Sequence, residues 1–334
     1  MTGGSGFLGH HLVPMLCRAG HSVRVLTRHP EANTWLRRFP HVEVIRGDVR
    51  DQQALTSAMQ GCKYLIHAGG MFRFWGSAEE FQATNTQGAE SVFAAALVAG
   101  VERIVHVSTI AVIGQPKPDE LIDECTPAKP ADPYQQSKLN AEAVAMRYQS
   151  DHGLPIVILR PGAYYGPFGE YAFNRLFFKD PMRGIIMQVD GGRNMIFPVY
   201  IGDAAQAALL ALEHGHAGEV YNVCGESISH KEAFDIICEE AHLRWPRMPI
   251  PGWLGIATAR AMTALSNVTR REPFWPINLR SYVYNSWRVS SEKARRELSF
   301  APIDFREGAR RTIAWYRAGR PQVWPEADCS DTEA

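Results

Sequence analysis

The feature that most constrains the fold is an alternation of strand-like and helix-like segments through the first half of the chain. The strand-like runs are apolar and β-branched and end in glycine or polar residues, as strands buried in a parallel sheet do. This alternation predicts an α/β fold, a doubly wound parallel sheet that binds ligands at the carboxyl ends of its strands. The strands are expected over 21–28, 42–48, 63–70, 102–109 and 154–162, and the helices over 6–19, 31–38, 51–60, 78–99 and 133–150.

The chain opens with a glycine trio in "TGGSGFLG", at Gly3, Gly6 and Gly9. In this spacing the first glycine permits a tight turn, the second lets the backbone approach a pyrophosphate, and the third lets the helix pack closely. The helix N-terminus that follows offers free N–H groups to phosphates. Such a turn normally follows a buried strand, but only Met1 and Thr2 precede it here. We therefore expect a dinucleotide-binding (Rossmann) sheet whose first strand is truncated, and we hypothesise that the natural chain starts upstream.

The residues at the next strand ends bear on the cofactor. The strand "VRVL" ends in Thr27 and Arg28, where an acid would favour NAD. An arginine there suits the additional phosphate of NADP, so we predict NADP in preference to NAD. Asp48 is positioned to accept a hydrogen bond from the adenine amine, and Ala68–Gly70 leave room beside the cofactor.

A candidate catalytic pair lies in "YQQSK". Tyr134 and Lys138 are four residues apart on a predicted helix, so they share one face. A nearby ammonium favours the phenolate, and we expect Lys138 to lower the pKa of Tyr134 toward neutrality. Upstream, Ser108 and Thr109 end a strand, and their hydroxyls can hold a substrate oxygen during proton transfer.

These motifs together resemble the extended short-chain dehydrogenase/reductases of the NAD(P)-dependent epimerase/dehydratase superfamily, in particular the 3β-hydroxysteroid dehydrogenase and dihydroflavonol reductase branch. The resemblance is strong over about residues 2–215 and covers, in order, the following segments: "TGGSGFLG", "GD" at 47–48, "AGG" at 68–70, "NTQG", "STIAVIG", "YQQSK" and "RPGAYYGP".

The resemblance implies roles for individual residues. Tyr134 would be the catalytic acid/base with Lys138 as its partner. Thr109, and not its neighbour Ser108, would hold the substrate oxygen, and Asn85 would brace the site. It also implies a homodimer formed through two helices, including the one that carries Tyr134. The complete predicted cofactor set is Gly3, Ser5, Gly6, Phe7, Leu8, Arg28, Asp48, Val49, Ala68, Gly69, Gly70, Ser108, Tyr134, Lys138, Pro161 and Gly162.

Three functions compete. The first is hydride transfer between NAD(P)(H) and a secondary alcohol or ketone of an apolar, steroid- or flavonoid-like substrate. The second is nucleotide-sugar epimerisation, which Ala163 weakens because those enzymes usually place an asparagine there. The third is a non-catalytic NADP sensor, which the intact Thr109–Tyr134–Lys138 set argues against. Dehydratase chemistry is disfavoured because Ile110 and Ala111, not an acid, follow the hydroxyl donor.

The aromatic segments favour the first function, because ligand pockets are mostly apolar. "MFRFWG" follows a strand end and is expected to overhang the cleft, whereas the apolar helix over 253–265 is interpreted as core. The predicted substrate contacts are Phe72, Phe74, Trp75, Ala163, Tyr164 and Arg193.

Composition limits the remaining possibilities. Lys+Arg and Asp+Glu are equal at 35 each, so no net field attracts nucleic acid or an acidic membrane surface. The six cysteines form no CxxC pair, and we expect neither a metal site nor disulfides, no membrane span, and a cytoplasmic protein acting on a small molecule. The expected domains are a Rossmann domain over 1–165 with returning strands near 196–223, a smaller mixed α/β substrate lobe over 166–325, and a disordered tail over 326–334.

Overall fold

The computed structural model describes residues 1–117 and 119–324, and the tail predicted over 326–334 lies outside them. A parallel sheet forms its centre, with strands in the order β2-β1 on one side and β3-β4-β6-β11 on the other. Its strands are β1 (Val23–Thr27), β2 (Val42–Arg46), β3 (Tyr64–His67), β4 (Arg103–Val107), β6 (Ile156–Pro161) and β11 (Val220–Val223). The predicted fold class is confirmed.

Met1 and Thr2 join the two halves of this sheet. Thr2 forms parallel bridges to Leu26 in β1 and to His67 in β3. The amide of Leu26 donates to the carbonyl of Met1 at 3.0 Å, and the amide of Thr2 donates to the carbonyl of Ile66 at 3.0 Å. The place of the predicted first strand is therefore filled by two residues that lead directly into the glycine turn.

Helices cover both faces of the sheet. α1 (Gly9–Arg18) and α6 (Ile201–His214) pack together on one face, and α2 (Gln52–Met59), α4 (Gly88–Ala99) and α5 (Pro133–His152) pack on the other. Gly100 ends α4 with a φ of 66°, a left-handed conformation that glycine adopts without strain. The sheet packs against apolar side chains of helices on both faces, and its strand ends therefore form a rigid support for a site.

Most of the remaining elements form a second lobe over the carboxyl edge of the sheet. Its core is rich in aromatic side chains, including Tyr165, Phe177 and Phe305. The strands outside the main sheet are β5 (Leu121–Ile122), β7 (Ala163–Tyr165), β8 (Met187–Val189), β9 (Met195–Ile196), β10 (Pro198–Tyr200), β12 (Ile228–Ser229), β13 (Met248–Ile250) and β14 (Arg288–Val289). The other helices are α3 (Ala78–Phe81), α7 (His230–Glu240), α8 (Gly252–Thr269), α9 (Arg280–Val283), α10 (Glu292–Leu298) and α11 (Phe305–Arg317). Of these, α3 and α10 pack on the helices and strands of the main sheet.

Two predicted helices differ from the structure. The helix expected over 78–99 contains a π-helical segment, Gln82–Gln87, between α3 and α4, and this segment carries the buried Asn85. π segments of this kind often re-aim a side chain at a functional site. The stretch 31–38 forms only a 3-10 turn, Thr34–Arg38, because threonine and tryptophan are weak helix formers and Pro40 follows.

The interpretation of the 253–265 helix as core is wrong. In α8 the buried residues are small, namely Gly252, Gly255, Ala259 and Ser266. Most of the large apolar side chains face outward, with Trp253 73% and Leu265 63% exposed, while Met262 packs inward. Small residues let this helix lie close to the lobe beneath it, which directs its bulky side chains to the surface.

Candidate active site

A single large cavity of about 930 Å³ runs along the carboxyl ends of the sheet strands and under the second lobe. It reaches from the glycine turn to aromatic side chains of the second lobe. Most of the predicted cofactor contacts and predicted substrate contacts therefore lie in the same cavity. The predicted site residues that line it are Gly3, Ser5, Gly6, Phe7, Leu8, Arg28, Asp48, Val49, Ala68, Gly69, Gly70, Phe72, Phe74, Ser108, Thr109, Tyr134, Lys138, Pro161, Gly162, Ala163 and Tyr164.

The glycine turn has the shape that a pyrophosphate needs. Gly3 has a φ of +72°, and a Cβ there would lie 2.5 Å from the backbone of Ala68. The amide of Gly6 donates to the carbonyl of Gly3 at 3.0 Å, which closes the turn. Leu8 precedes α1 without a side-chain cap, and the amides of His10 and His11 donate to the carbonyls of Gly6 and Leu8 at 3.1 Å. Phosphate oxygens would therefore be bound by the amides of the turn that leads into this helix. The turn therefore fits a dinucleotide.

The adenosine end of the cavity is basic. Arg28 is exposed at the end of β1, while the buried Thr27 hydroxyl lies 3.1 Å from the Ser5 hydroxyl. Asp48 accepts two hydrogen bonds from the guanidinium of Arg50, at 2.8 and 2.9 Å, and that contact is the main cause that lowers the pKa of Asp48 to about 2. The carboxylate here is thus ionised and already paired, which leaves Arg28 available for an anionic group.

Three chemically active side chains meet in the middle of the cavity. Asp132 caps the N-terminus of α5, and Tyr134 and Lys138 follow on the face that points to the sheet edge. The Thr109 hydroxyl, placed by the end of β4, lies beside the phenol of Tyr134 and accepts from the amide of Ala111 at 3.2 Å. Lys138 Nζ donates to the carbonyl of Val107 at 2.8 Å. Thr109 is therefore the hydroxyl that contacts the phenol.

The expectation that Lys138 lowers the pKa of Tyr134 is wrong for this structure. Burial raises the pKa of the Tyr134 phenol, the carboxylate of Asp132 adds to the increase, and only the interaction with the Thr109 hydroxyl opposes it. Lys138 instead points at the Val107 carbonyl, and burial lowers its own pKa to about 8. The phenol is therefore protonated at neutral pH, as a proton donor must be.

Asn85 lies outside the cavity lining and holds its wall together. Its side chain accepts from the amide of Met71 at 2.7 Å and donates to the carbonyl of Met71 at 3.0 Å and to the hydroxyl of Ser137 at 2.9 Å. These bonds tie the loop after β3 to α5, next to Tyr134 and Lys138.

Aromatic rings form the other end of the cavity. The ring of Phe72 lies 4.8 Å from that of Tyr134, and Phe74 lies 5.4 Å from Tyr282 and 5.7 Å from Tyr171. The Tyr171 hydroxyl accepts from the amide of Phe74 at 3.2 Å and hydrogen-bonds the carboxylate of Glu272. The lining of this end is therefore mainly aromatic.

Two predicted substrate contacts lie elsewhere. Trp75 donates from its ring nitrogen to Asn267 at 3.4 Å, and Arg193 is exposed on the surface, so neither lines the cavity. Other lining residues were not predicted. Some adjoin predicted ones, such as Thr27, His29, Arg50 and Arg73, and others come from segments distant in sequence that carry no motif, such as Tyr171, Leu176, Phe177, Phe197, His230, Leu279, Tyr282 and Val283.

Comparisons with known proteins agree with this geometry. Residues 1–224 match the NAD dependent epimerase/dehydratase family. The chain is 31% identical over 307 residues to a 4-hydroxy-2-methyl-3-oxo-4-farnesyl-3,4-dihydroquinoline-1-oxide ketoreductase of Stigmatella aurantiaca, covering 90% of this chain and 91% of the relative. It is 28% identical to a 3 beta-hydroxysteroid dehydrogenase/Delta 5-->4-isomerase of Mycobacterium tuberculosis, covering 91% of this chain and 85% of the relative.

A solved structure has the same architecture. The dTDP-glucose 4,6-dehydratase DesIV from Streptomyces venezuelae, with NAD and TYD bound, superposes with a TM-score of 0.79 at 25% identity and 98% coverage of both chains. The family match spans well over half of the chain, and the ordered motifs lie within it. The chain thus belongs to the NAD dependent epimerase/dehydratase family, the extended short-chain dehydrogenase/reductases.

Proposed function

We propose that this protein is an NADP(H)-dependent ketone reductase or alcohol dehydrogenase for an apolar substrate. We call the cavity end lined by Phe72, Phe74, Tyr171 and Tyr282 the aromatic chamber. The observation that carries the proposal is that Thr109, Tyr134 and Lys138 lie in one cavity, between the phosphate-binding turn and this chamber. The cofactor supplies or accepts a hydride when bound. The chain's own residues must then orient the substrate oxygen and move one proton.

The proton step follows from the geometry. In the reducing direction, Thr109 and Tyr134 hydrogen-bond the carbonyl oxygen of the substrate, and the Tyr134 phenol gives its proton to that oxygen as charge develops there. Lys138 lines the same cavity with its ammonium group on the Val107 carbonyl, and from there it would hold a ribose hydroxyl of the bound cofactor. Asn85 fixes the loop and helix between which these groups converge.

The walls of the substrate end favour an apolar ketone over a nucleotide sugar. A sugar diphosphate needs cationic or amide partners, but Ala163 offers no polar side chain and Arg193 lies on the outer surface. Arg73, which lines the cavity between Phe72 and Phe74, is exposed. Phe72, Phe74 and Tyr282 instead present rings to the space beyond Tyr134. The similarity to a ketoreductase whose named substrate carries a farnesyl chain supports the same reading.

Replacement of Tyr134 by phenylalanine tests the proposal. We expect the Tyr134→Phe variant to lose about 10³-fold in kcat, because the proton donor is gone, and to bind NADPH with nearly unchanged affinity. The assay is NADPH consumption over a panel of steroids, flavonoid-like ketones, aromatic aldehydes and nucleotide sugars, with cofactor affinity measured by fluorescence titration.

Tyr148 provides the matched control. It lies on the same helix, but its hydroxyl donates to Glu90 at 2.9 Å, away from the cavity. Tyr148→Phe should keep its activity. Full activity in Tyr134→Phe would refute the assigned role. Turnover restricted to nucleotide sugars, with nicotinamide released only after denaturation, would identify an epimerase instead.

A further inference from the structure

The outward face of α8 is more apolar than the face that packs on the protein. The exposed positions include Trp253, Leu254, Leu265 and Val268, which are 73%, 44%, 63% and 81% exposed. The inward positions are mostly glycine, alanine and serine. With alanines and a threonine between them, the eight outward positions span about 140° of the helix at 3.6 residues per turn. They are Trp253, Leu254, Ala257, Thr258, Ala261, Ala264, Leu265 and Val268.

Arginines are the only charged side chains on α8 itself and on the two residues after it. The segment 252–271 contains three arginines, Arg260, Arg270 and Arg271, and no aspartate or glutamate. All three are exposed, and none forms an ion pair with any described residue.

Two acidic side chains lie at the ends of the helix: Asp190 accepts from the amide of Gly252 at 2.7 Å, and Glu272 accepts from the hydroxyl of Tyr171. The three arginines therefore leave a local excess of positive charge. The equal totals of acidic and basic residues in the whole chain exclude a net field but not this local excess of arginine.

The same helix forms the outer wall of the substrate end. Ala259 and Met262 pack in one cluster with Phe74, Leu279 and Val283, which line the cavity. At the C-terminal end of α8, Asn267 accepts the ring N–H of Trp75 at 3.4 Å. The exposed face therefore lies on the outside of the wall that encloses the aromatic chamber.

We propose that α8 docks the protein onto an anionic lipid surface. Tryptophan and leucine on the outward face, with arginines at its border and end, match the pattern of a helix that lies in a bilayer interface. In the described residues no helix is long and apolar enough to cross a membrane, so the helix lies on the surface and does not span it. Docking would place the chamber next to lipid, where an apolar substrate concentrates.

Co-flotation with lipid vesicles tests docking directly, without any activity measurement. The full chain should float with phosphatidylcholine vesicles that contain phosphatidylserine, and float less with phosphatidylcholine alone. High salt should weaken the binding, because each arginine near an anionic surface contributes about fivefold in affinity. Since turnover is not read out, an incorrect assignment of the enzymatic activity would leave this result unaffected.

Leu265→Gln and Leu121→Gln form a matched pair. Both remove an exposed leucine, 63% exposed in α8 and 65% exposed in β5. Leu265→Gln should reduce vesicle binding severalfold, while Leu121→Gln should leave it unchanged. Arg260→Gln combined with Arg271→Gln should remove the preference for anionic vesicles, and the exposed pair Arg37→Gln with Arg183→Gln should not.

Two outcomes would overturn the proposal. Absence of flotation with both vesicle types would exclude lipid docking. Concentration-dependent dimers in light scattering, lost in Leu265→Gln and accompanied by no vesicle binding, would assign the face to a second copy of this chain.

Discussion

Individual residues set the chemistry of the site through their surroundings. Burial raises the pKa of Tyr134 and keeps its phenol protonated, as the proposed proton donor requires, and Lys138 donates to the Val107 carbonyl at 2.8 Å. The motif in the sequence places both on one helix face. The direction in which the pKa of Tyr134 shifts depends on burial, which a motif does not encode. Arg28 is the residue whose identity decides the proposed cofactor.

Replacement of Arg28 tests NADP preference. Arg28→Gln should lower kcat/KM for NADPH by about tenfold to a hundredfold, because a charge-assisted contact to the ribose phosphate is lost. With NADH, which lacks that phosphate, the value should stay the same. Steady-state kinetics with both cofactors give the answer, and an equal loss with both would contradict the assignment.

At the scale of elements, a buried ion pair connects α5, the helix that carries Tyr134 and Lys138, to strand β6 of the sheet. Glu142 lies one turn beyond Lys138, and its carboxylate accepts from Arg160 of β6 at 2.7, 3.0 and 3.2 Å. Both side chains are buried, at 6% and 9% exposure. This pair fixes the rotation of α5, and thereby the directions of Tyr134 and Lys138.

Removal of one partner should be costly for stability. Glu142→Gln leaves the Arg160 guanidinium buried without its counter-charge, and we expect the free energy of unfolding to fall by about 3–5 kcal/mol. The control is Glu90→Gln, which removes an exposed partner of Arg147 and Tyr148 and should cost less than about 1 kcal/mol. Urea denaturation measures both, and equal losses would show that burial of the pair has no special effect.

The elements themselves follow closely from the sequence. Strand and helix positions in the first half agree within a few residues, because apolar periodicity and terminal glycines act locally. The π segment around Asn85 could not be predicted, since it depends on contacts with Met71 and Ser137, which lie far away in the chain. The outward rotation of α8 likewise depends on the lobe beneath it.

At the scale of the whole molecule, several histidines are buried in the neutral state. Burial lowers the pKa of His11 and His230 to about 4 and that of His67 to about 3, and it also lowers the pKa of His106. In the unfolded chain these groups titrate near 6.5. Asp132 acts in the opposite direction, because burial raises its pKa to about 6.

Acidification should therefore destabilise the fold between pH 7 and pH 5. In this window the histidines become protonated in the unfolded chain but stay neutral in the folded protein. Each buried histidine therefore lowers the free energy of unfolding by about 2 kcal/mol at pH 5. Asp132 takes up a proton in the folded protein in the same window, and this offsets roughly the loss caused by one histidine. Urea midpoints at pH 7, 6 and 5 should fall accordingly.

Two histidine variants identify the source of the effect. His230→Gln should reduce the pH dependence by up to about 1.4 kcal/mol per pH unit, the value of one proton. His214→Asn, at an exposed position, should leave it unchanged. A pH dependence that is identical in both variants would place the effect in other groups.

The sequence by itself determined the family, the parallel sheet, the phosphate-binding turn and the Thr109–Tyr134–Lys138 set. These features depend on local spacing along the chain, which the amino-acid sequence displays directly. Only the tertiary structure decided the aromatic chamber, the raised pKa of Tyr134, the outer position of Arg193 and the exposed face of α8. Each of these depends on which distant segments pack together, and therefore on what that packing leaves buried or exposed to water.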